Sequence, residues 1–317
     1  MRARVISAFS LAVLFAGGQA VLAEHPASRP DLQGTWNGST RTPLQRPQQF
    51  IDRSAFTPEE AAEYLRATPD RVRGRLPTDA DRQVQIDLDE TYSEVERMPL
   101  DGLRTSLIVD PPNGMLPPLL PAAQARKAAR PKRSLEDPET FGLAERCLMG
   151  IFGASGGSLA SPPMIPSDIL PSLYKIVQND THVLIFTEWV HDARIVRLNG
   201  MHLPSSIRSW LGDSIGHYEG DTLVVDTTNF RKDTHYLDSG ERLHVVERFT
   251  RVDPTTLRYR VTVEDPDTWA TPWTAEWPFT ATDVALFPVE CHEGNYSMEN
   301  MLKGARAEEQ RAQTTRR

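Results

Sequence analysis

The stretch Leu257-Arg258-Tyr259-Arg260-Val261-Thr262-Val263-Glu264 alternates apolar and polar side chains without interruption. Successive side chains of a β-strand point to opposite faces, so the leucine, the tyrosine and the two valines share one face. The other face carries two arginines, a threonine and a glutamate. This alternation indicates a sheet that packs one face on a core and leaves the other in water.

Further strand signals surround this stretch. Leu243 to Arg251 read as a strand that reaches it through Asp253-Pro254-Thr255-Thr256, and Gly216 to Val225 read as strand, tight turn and strand. His182 to Thr187 are apolar on both faces, which is typical of a central strand. Short strands without intervening helices favour a sandwich or barrel over a βαβ fold. We expect a mainly β protein, a lipocalin-like antiparallel β-barrel with an N-terminal extension that contains short helices.

Residues 24–145 are expected to form an N-terminal strand and a wrapping extension. In this part Thr57-Pro58-Glu59-Glu60 predicts the start of a helix, and Arg104 to Val109 predict a strand. The main barrel is assigned to residues 146–303. A polar tail, residues 304–317, follows, and residues 24–303 are interpreted as one domain.

Residues 1–23 predict a signal peptide, because a basic start and an apolar run precede a small-residue cleavage site. The mature protein is therefore expected to be periplasmic or secreted. Loss of Arg2 and Arg4 leaves 33 of the 35 basic residues against 43 acidic ones. This balance argues against a nucleic-acid partner, although the basic run Arg126 to Arg133 offers one candidate patch beside its simpler interpretation as a solvated loop. No apolar run is long enough to predict a membrane span.

Cys147 and Cys291 are the two cysteines of the chain. In an exported protein they predict a disulfide, which would stabilise the fold by about 4–5 kcal/mol on the chain-entropy estimate. The alternative is a pair of buried thiols, because spacing alone does not show that the sulfurs meet.

The segment Thr187 to Leu198, TEWVHDARIVRL, places acidic, imidazole and guanidinium groups in a β-like context. As one strand, or as a hairpin connected at Val190 to Ala193, it gives Arg194 a carboxylate within reach, so a structural ion pair is the simpler interpretation. The functional interpretation makes His191 a general base oriented by Asp192, with Arg194 as the clamp for an anion or carbonyl group.

The segment Glu290 to Tyr296 gathers polar side chains around a glycine. If Cys291 is tied to the middle of the chain, His292 is a second proton-transfer group and Glu293 its partner. The alternative is a capping loop before a short helix, Ser297 to Leu302. The remaining residues assigned to contact a substrate are Trp189, His217, Asp226, Asn295 and Tyr296.

Two further patterns leave alternatives open. Trp269, Trp273 and Trp277 recur at every fourth position among prolines, so they form either an aromatic wall for a ligand or part of the core. Glu247 lies on the apolar face of its strand, where it is either paired with an arginine of a neighbouring strand or has a raised pKa.

The patterns for metals and organic cofactors are weak or missing. His217 and Glu219 share one strand face, and His191 or His292 would have to supply a third ligand. The sequence contains no H-E-x-x-H motif, no acidic calcium loop, no G-x-S-x-G elbow and no dinucleotide fingerprint. We therefore predict neither a metal nor a cofactor.

Several blocks of the chain resemble recurring blocks of a large, mostly uncharacterised family of secreted bacterial proteins. These blocks are Asp31 to Trp36, Arg104 to Pro112, Trp210 to Ser214, Gly220 to Phe230 and Cys291 to Tyr296. The first block also contains Gly34-Thr35-Trp36, which is similar to the Gly-x-Trp opening of lipocalin-like barrels. The lipocalin resemblance implies a barrel interior that binds a small ligand.

Together these observations predict a cofactor-free acid–base enzyme, a lyase, isomerase or hydrolase. Its substrate would be a small aromatic, terpenoid or sugar-derived molecule in the barrel. The competing function is a periplasmic carrier that uses the same cavity without catalysis. Inward-facing ionisable groups favour the enzyme, and an interior lined only by apolar side chains favours the carrier.

Overall fold

A computed structural model of the protein describes residues 29–67, 100–130, 134, 136–143, 146–149, 162–166, 172–188, 192–233, 236–286 and 296–315. These residues contain ten strands and a few helices. The strands are β1 (Gly34–Asn37), β2 (Ile108–Asp110), β3 (Leu173–Gln178), β4 (His182–Thr187), β5 (Ala193–Leu198), β6 (Asp213–Glu219), β7 (Thr222–Thr228), β8 (His244–Asp253), β9 (Thr256–Glu264) and β10 (Trp273–Ala281). The protein is therefore mainly β, as the alternating patterns predict.

Nine of these strands close into a barrel. Strand β1 pairs with β3, the strands from β3 to β10 follow in chain order, and β10 pairs again with β1. The closing pairs are Trp36 with Ala281 and Asn37 with Thr280. Strand β2 joins the same edge of β10 nearer its start, at Thr274 and Ala275. The predicted β-barrel is confirmed, and a strand of the N-terminal extension closes it.

The pairing is antiparallel around the barrel except between β5 and β6, which run parallel from Val196–Ser214 to Leu198–Gly216. Parallel strands cannot be joined by a tight turn. Residues 199–212, which we call the strap, therefore return along the outside of the barrel before β6 begins. As a result β5, β6, β8 and β10 all begin at one end of the barrel, which we call the upper end.

The core lies inside the barrel and follows the two-residue period of the strands. In β9 the four apolar side chains of the alternating stretch are fully buried, whereas its arginines face outward. The ring of Tyr259 stacks on Phe279 and meets Trp277 edge-on, and Tyr174 stacks on the other side of Phe279. The burial pattern predicted for this strand is confirmed.

The extension packs on the barrel through short elements. Helix α1 (Pro58–Ala67) begins with a capping box, in which Glu60 N donates to Thr57 Oγ1 at 3.2 Å and Thr57 N donates to Glu60 Oε2 at 2.9 Å. Helix α2 (Pro121–Ala128) lies in the predicted wrapping segment. Strand β2 is shorter than predicted, because the amides of Thr105 and Leu107 donate to backbone carbonyls of the preceding segment.

Helix α3 (Tyr296–Thr315) is much longer than the short helix predicted at its start. It includes most of the residues expected to form a polar tail, 304–317. Alanine, arginine, glutamate and glutamine dominate this region and all favour the helix. Pairs such as Arg306 with Glu309, at 2.6 Å, support it further.

Candidate functional site

A buried ion pair crosses the interior of the barrel. Arg194 on β5 contacts Glu247 on β8 through both terminal nitrogens, and Nη2 donates to Oε1 at 3.0 Å. The two side chains are 4% and 0% exposed. Tyr259 on β9 donates its hydroxyl proton to Glu247 Oε1 at 2.7 Å. The predicted pairing of Glu247 with an arginine is confirmed, but the arginine comes from a strand three places away around the barrel.

The charges of this network are balanced. Burial opposes the charge of Arg194, yet the carboxylate of Glu247 outweighs it and raises the pKa of Arg194. Burial, and then the negative charge of Glu247, raises the pKa of Tyr259 well above its usual value, so the phenol stays neutral. Arg194, predicted as a clamp for an anion or carbonyl group, is therefore already engaged by a carboxylate inside the protein.

A short segment of the chain fills the interior beside this ion pair. Residues Pro162 to Pro166 are all buried. Met164 N donates to the Tyr259 hydroxyl oxygen at 3.1 Å, and the Tyr174 hydroxyl donates to Met164 O at 3.5 Å. The hydroxyl of Tyr259 thus both donates and accepts a hydrogen bond.

Inward side chains of β7 to β10 form three parallel rows. The cross-strand pairs place small side chains beside the carboxylate in the middle row, Val225, Glu247, Val261 and Ala275. Each flanking row ends in an indole, Trp273 toward the upper end and Trp277 on the opposite side. Ala275 therefore separates two fully buried tryptophans on one strand face.

Within the described part of the chain, four uncharged side chains of this inner face and the adjoining upper end have a buried polar atom without a hydrogen-bond partner. These atoms are Trp273 Nε1, Trp277 Nε1, the hydroxyl of Tyr236 and Ser239 Oγ. These residues are at most 2% exposed. An unpaired buried donor costs about 1–3 kcal/mol, so such atoms point to an acceptor supplied by water or a ligand. Burial raises the pKa of Tyr236 well above its usual value, so its hydroxyl remains a donor.

Three of these four residues lie at the upper end of the barrel. Tyr236 and Ser239 belong to the connection into β8, and Trp273 is the first residue of β10. Asp192 immediately precedes β5, and the fully buried Glu188 immediately follows β4. The topology therefore brings two carboxyl groups and unpartnered donors to one end of the barrel.

A second group of titratable residues lies on the outer face. His202 on the strap contacts Asp213 through Nδ1 and Asp226 through Nε2, each at 3.0 Å. His244 contacts the same oxygen of Asp226 through Nε2 and Glu264 through Nδ1, again at 3.0 Å. We call these five residues the histidine row. The alternation of β8 and β9 predicts that His244 and Glu264 lie on the outer face. No local sequence pattern predicts the position of His202.

Hydrogen bonds within the histidine row shift the pKa values of Asp213 and His244. Burial alone would raise the pKa of Asp213, but hydrogen bonds from Arg197, the Leu203 amide and His202 lower it to about 2. The hydrogen bond to Asp226 is the main reason that the pKa of His244 rises to about 9, with Glu264 adding to it. The row therefore holds the strap against β6, β7 and β8 at neutral pH.

Several predicted site residues lie away from the interior. His217 and Asp226 are on the outer face, because Gly216 and Val225 occupy the alternating inward positions. His217 pairs with Glu219 at 3.0 Å. Tyr296 opens α3 and is 69% exposed. The structure therefore does not group His217, Asp226 and Tyr296 around the barrel interior, and their assignment as substrate contacts stays a prediction.

Other predictions fall on residues that the structure does not describe. Trp189, His191, His292, Glu293 and Asn295 lie outside the described residues, so their roles stay predictions. Cys147 is buried, and no free cysteine lies among the described residues. Cys291 is outside them, so the disulfide also stays a prediction.

The described part of the chain contains no group of three or more histidine, cysteine, aspartate or glutamate residues arranged to hold a metal ion. The third ligands considered for His217 and Glu219 were His191 and His292, which lie outside that part. Within the same residues, no helix has both the length and the apolar character that crossing a bilayer requires.

No family model matches the sequence. Searches of curated proteins and of solved structures also returned no match.

Proposed function

We propose that the protein is an exported acid–base enzyme that acts on a small molecule bound at the upper end of the barrel. One observation carries this proposal: the buried, unpartnered donors Tyr236 and Trp273 lie at the same end as the carboxyl groups of Asp192 and Glu188. A hydrogen-bond donor beside a proton acceptor is the combination that proton abstraction next to a carbonyl requires.

The roles follow from the chemistry of each group. Tyr236 and Trp273 would donate to the substrate oxygen and stabilise the negative charge that develops there. Asp192 would orient His191, which removes a proton from carbon and returns it elsewhere on the substrate or gives it to a leaving group. A lyase or isomerase fits this arrangement best, and a hydrolase would use the same base on water. His292 and Glu293 remain the proposed second proton-transfer pair.

The carrier is the alternative, and a specific observation favours it. The ion pair of Arg194 and Glu247 also binds the hydroxyl of Tyr259, so these three described residues of the barrel interior offer no available acid or base. A ligand bound there by apolar side chains would be released without chemical change.

A measurement of chemical turnover distinguishes the enzyme from the carrier. Purified protein would be screened by thermal shift against neutral aromatic, terpenoid and sugar-derived compounds. Each stabilising compound would then be incubated with the protein in D2O and followed by NMR. An enzyme of this type incorporates deuterium at a carbon-bound position or forms product, and Asp192→Asn and His191→Gln slow that reaction by about 100-fold or more.

His217→Gln is the matched control, because His217 is an exposed histidine on the outer face of the barrel. It should leave both binding and exchange unchanged. Binding without exchange or product in the parent protein would reject the enzyme and leave the carrier. A library without any stabilising compound would reject both functions.

A further inference from the structure

We infer that the first half of the strap, residues 200–206, is a pH-controlled flap on the outside of the barrel. The flap lies closed on β6 and β7 while His202 and His244 both carry a proton. It opens when the histidine row loses these protons, and the barrel itself stays folded. This movement belongs to the outer face of the barrel and is independent of the proposed reaction.

His202 is the anchor of the flap. Every other residue of the flap is exposed, and Met201 is 87% exposed. Among the described residues, the other hydrogen bonds from the flap to the barrel use its backbone: Met201 O accepts from Arg197, Leu203 N donates to Asp213, and Leu203 O accepts from Asn229. A segment that buries so little apolar surface opens locally at a low cost in free energy.

The hydrogen bonds of the histidine row require both imidazoles to be charged. Each histidine places Nε2 at 3.0 Å from Asp226 Oδ1. Each places Nδ1 at 3.0 Å from a second carboxylate, which is Asp213 for His202 and Glu264 for His244. A neutral imidazole has one N–H and one lone pair, so it donates to only one of two carboxylates. Loss of the proton therefore turns one hydrogen bond of that histidine into a repulsive contact.

The contact with Asp226 is the one that a neutral His202 loses. The side chain of Asp213 is 8% exposed, whereas that of Asp226 is 37% exposed. A buried carboxylate loses more free energy than an exposed one when a donor leaves it, so the remaining N–H stays on Asp213. The lone pair of Nε2 then faces Asp226, and the flap is repelled from β7.

The charges in contact with the two histidines balance only while both histidines are protonated. Arg197 on β5 binds Asp213 at 2.7 Å, so three carboxylates face three cations in the protonated row. Two further arginines, one on the strap and one before β8, bind acids outside the row: Arg208 binds Glu241, and Arg242 binds Asp267. Loss of both protons leaves Arg197 as the one cation among the described contacts of three carboxylates, which favours separation of the row.

The contacts of His244 give the direction of the pH change. The hydrogen bond to Asp226, supported by Glu264, raises the pKa of His244 to about 9. This histidine is therefore protonated at neutral pH and releases its proton as the pH rises through about 9. The flap is closed at neutral pH and opens in alkaline solution.

Limited proteolysis with subtilisin, at about pH 7 and at about pH 10, tests the flap. A synthetic peptide of residues 197–210 corrects for the pH dependence of the protease, and mass spectrometry locates the cuts. When opening is fast relative to cleavage, the rate follows the population of the open form. Cleavage within residues 200–206 should rise by at least about tenfold, because a hydrogen bond between charged groups is worth at least that factor. Strand β9, which pairs with both β8 and β10, should remain uncut.

Two substitutions at one position separate the charge of the row from other effects of alkaline pH. His202→Arg keeps a permanent cation with several N–H groups and should hold the flap closed at both pH values. His202→Gln is neutral throughout and should leave the flap open already at neutral pH, with a remaining pH effect of about threefold or less. His217→Gln is the control, because His217 is exposed on β6 and pairs with Glu219 outside the row. It should keep the full rise.

Four results would overturn the inference. The first is cleavage of the flap that does not change with pH in the parent protein. The second is a rise that persists in His202→Arg, since the charge at this position would then not control the flap. The third is a flap that stays closed at both pH values in His202→Gln. The fourth is equal cleavage of the flap and β9 at high pH, which would show unfolding of the barrel instead of local opening.

Discussion

The ion pair of Arg194 and Glu247 places two charged groups in the interior of the barrel. Two charges removed from water are tolerated only with good geometry and further hydrogen bonds. The bidentate contact and the hydroxyl of Tyr259 supply both. The pair is therefore costly to break and of limited value as a proton-transfer group.

Removing one partner of this pair should be strongly destabilising. Glu247→Gln leaves the buried guanidinium without its counter-ion and should lower the free energy of unfolding by about 3–5 kcal/mol. The double variant Arg194→Met with Glu247→Leu should recover part of this loss. Urea unfolding measures all three proteins. Glu219→Gln, which breaks the exposed pair with Arg248, is the control and should cost at most about 1 kcal/mol.

Tyr259 and Tyr174 offer a matched comparison of two buried hydroxyls. Tyr259→Phe removes a donor to Glu247 and an acceptor for Met164 N, and should cost about 1–3 kcal/mol. Tyr174→Phe removes a contact of 3.5 Å to Met164 O and should cost clearly less. Chemical denaturation measures the free energy of unfolding of both variants. Equal losses would contradict the conclusion that the Tyr259 hydroxyl stabilises the protein through Glu247.

Among the elements around the barrel, the strap is an irregular connection on its outside. It spans the barrel from the lower end of β5 to the upper end of β6 and has no strand ladder of its own. Gly212, at its end, has φ +71° and lies so close to Thr228 that an added Cβ would be 2.7 Å from its carbonyl oxygen. The histidine row and this glycine together hold the strap against the barrel.

Because of the histidine row, the free energy of unfolding should decrease as the pH rises into the alkaline range. The folded protein holds a proton on His244 up to a pKa of about 9, whereas the unfolded chain releases it near 6.5. The stabilisation is therefore complete below pH 6.5 and is lost as the pH rises through 9. The difference in unfolding free energy between the parent and His244→Asn, measured in urea from pH 6 to 10, should shrink across this window. A difference that grows with pH would contradict the assignment.

At the scale of the whole molecule, β1 is the closing element. It pairs with β10 through two residue pairs only, so side-chain packing must support the seam. Trp36 provides that packing: it is 1% exposed, and its indole N–H donates to Leu32 O at 3.0 Å.

Truncation of this tryptophan should therefore weaken the entire barrel. Trp36→Ala is expected to lower the free energy of unfolding by about 3–5 kcal/mol, because it leaves a large cavity at the seam. Trp210→Ala, at a half-buried position outside the core, removes a cation–π contact with Arg231 worth about 0.5–1 kcal/mol and should cost clearly less than Trp36→Ala. Thermal and urea unfolding measure both variants, and similar losses would show that the seam does not depend on Trp36.

The predicted disulfide of Cys147 with Cys291 is also tested on the whole molecule. The unreduced, denatured protein should show no reactive thiol, and reduction should expose two. On the chain-entropy estimate, the paired variant Cys147→Ser with Cys291→Ser should lose roughly 4–5 kcal/mol of stability. Titration of two thiols before reduction would disprove the link.

The strands are predictable from the sequence because the patterns that indicate them involve residues close together in the chain. The alternation in β9 and the turn at Gly220 identify pairs of neighbouring strands, and the capping residues at Thr57 identify α1. The site was predictable only in part. The sequence predicts that Glu247 is a buried carboxylate and that Arg194 has either a carboxylate of its own segment or a ligand as partner. It does not predict that the two residues meet, because a strand pattern shows which face a side chain takes and not what lies across the barrel.

The sequence by itself determined the β class of this protein, most strand positions, the inward faces and the helix starts, since each depends on residues only a few positions apart. Tertiary structure decided the parallel pairing of β5 with β6, the closure by β1, the Arg194–Glu247 contact and the meeting of His202 with Asp226. Those features join residues that are distant in the chain. Strand order and barrel curvature determine which of these residues meet, and no local sequence pattern predicts either property.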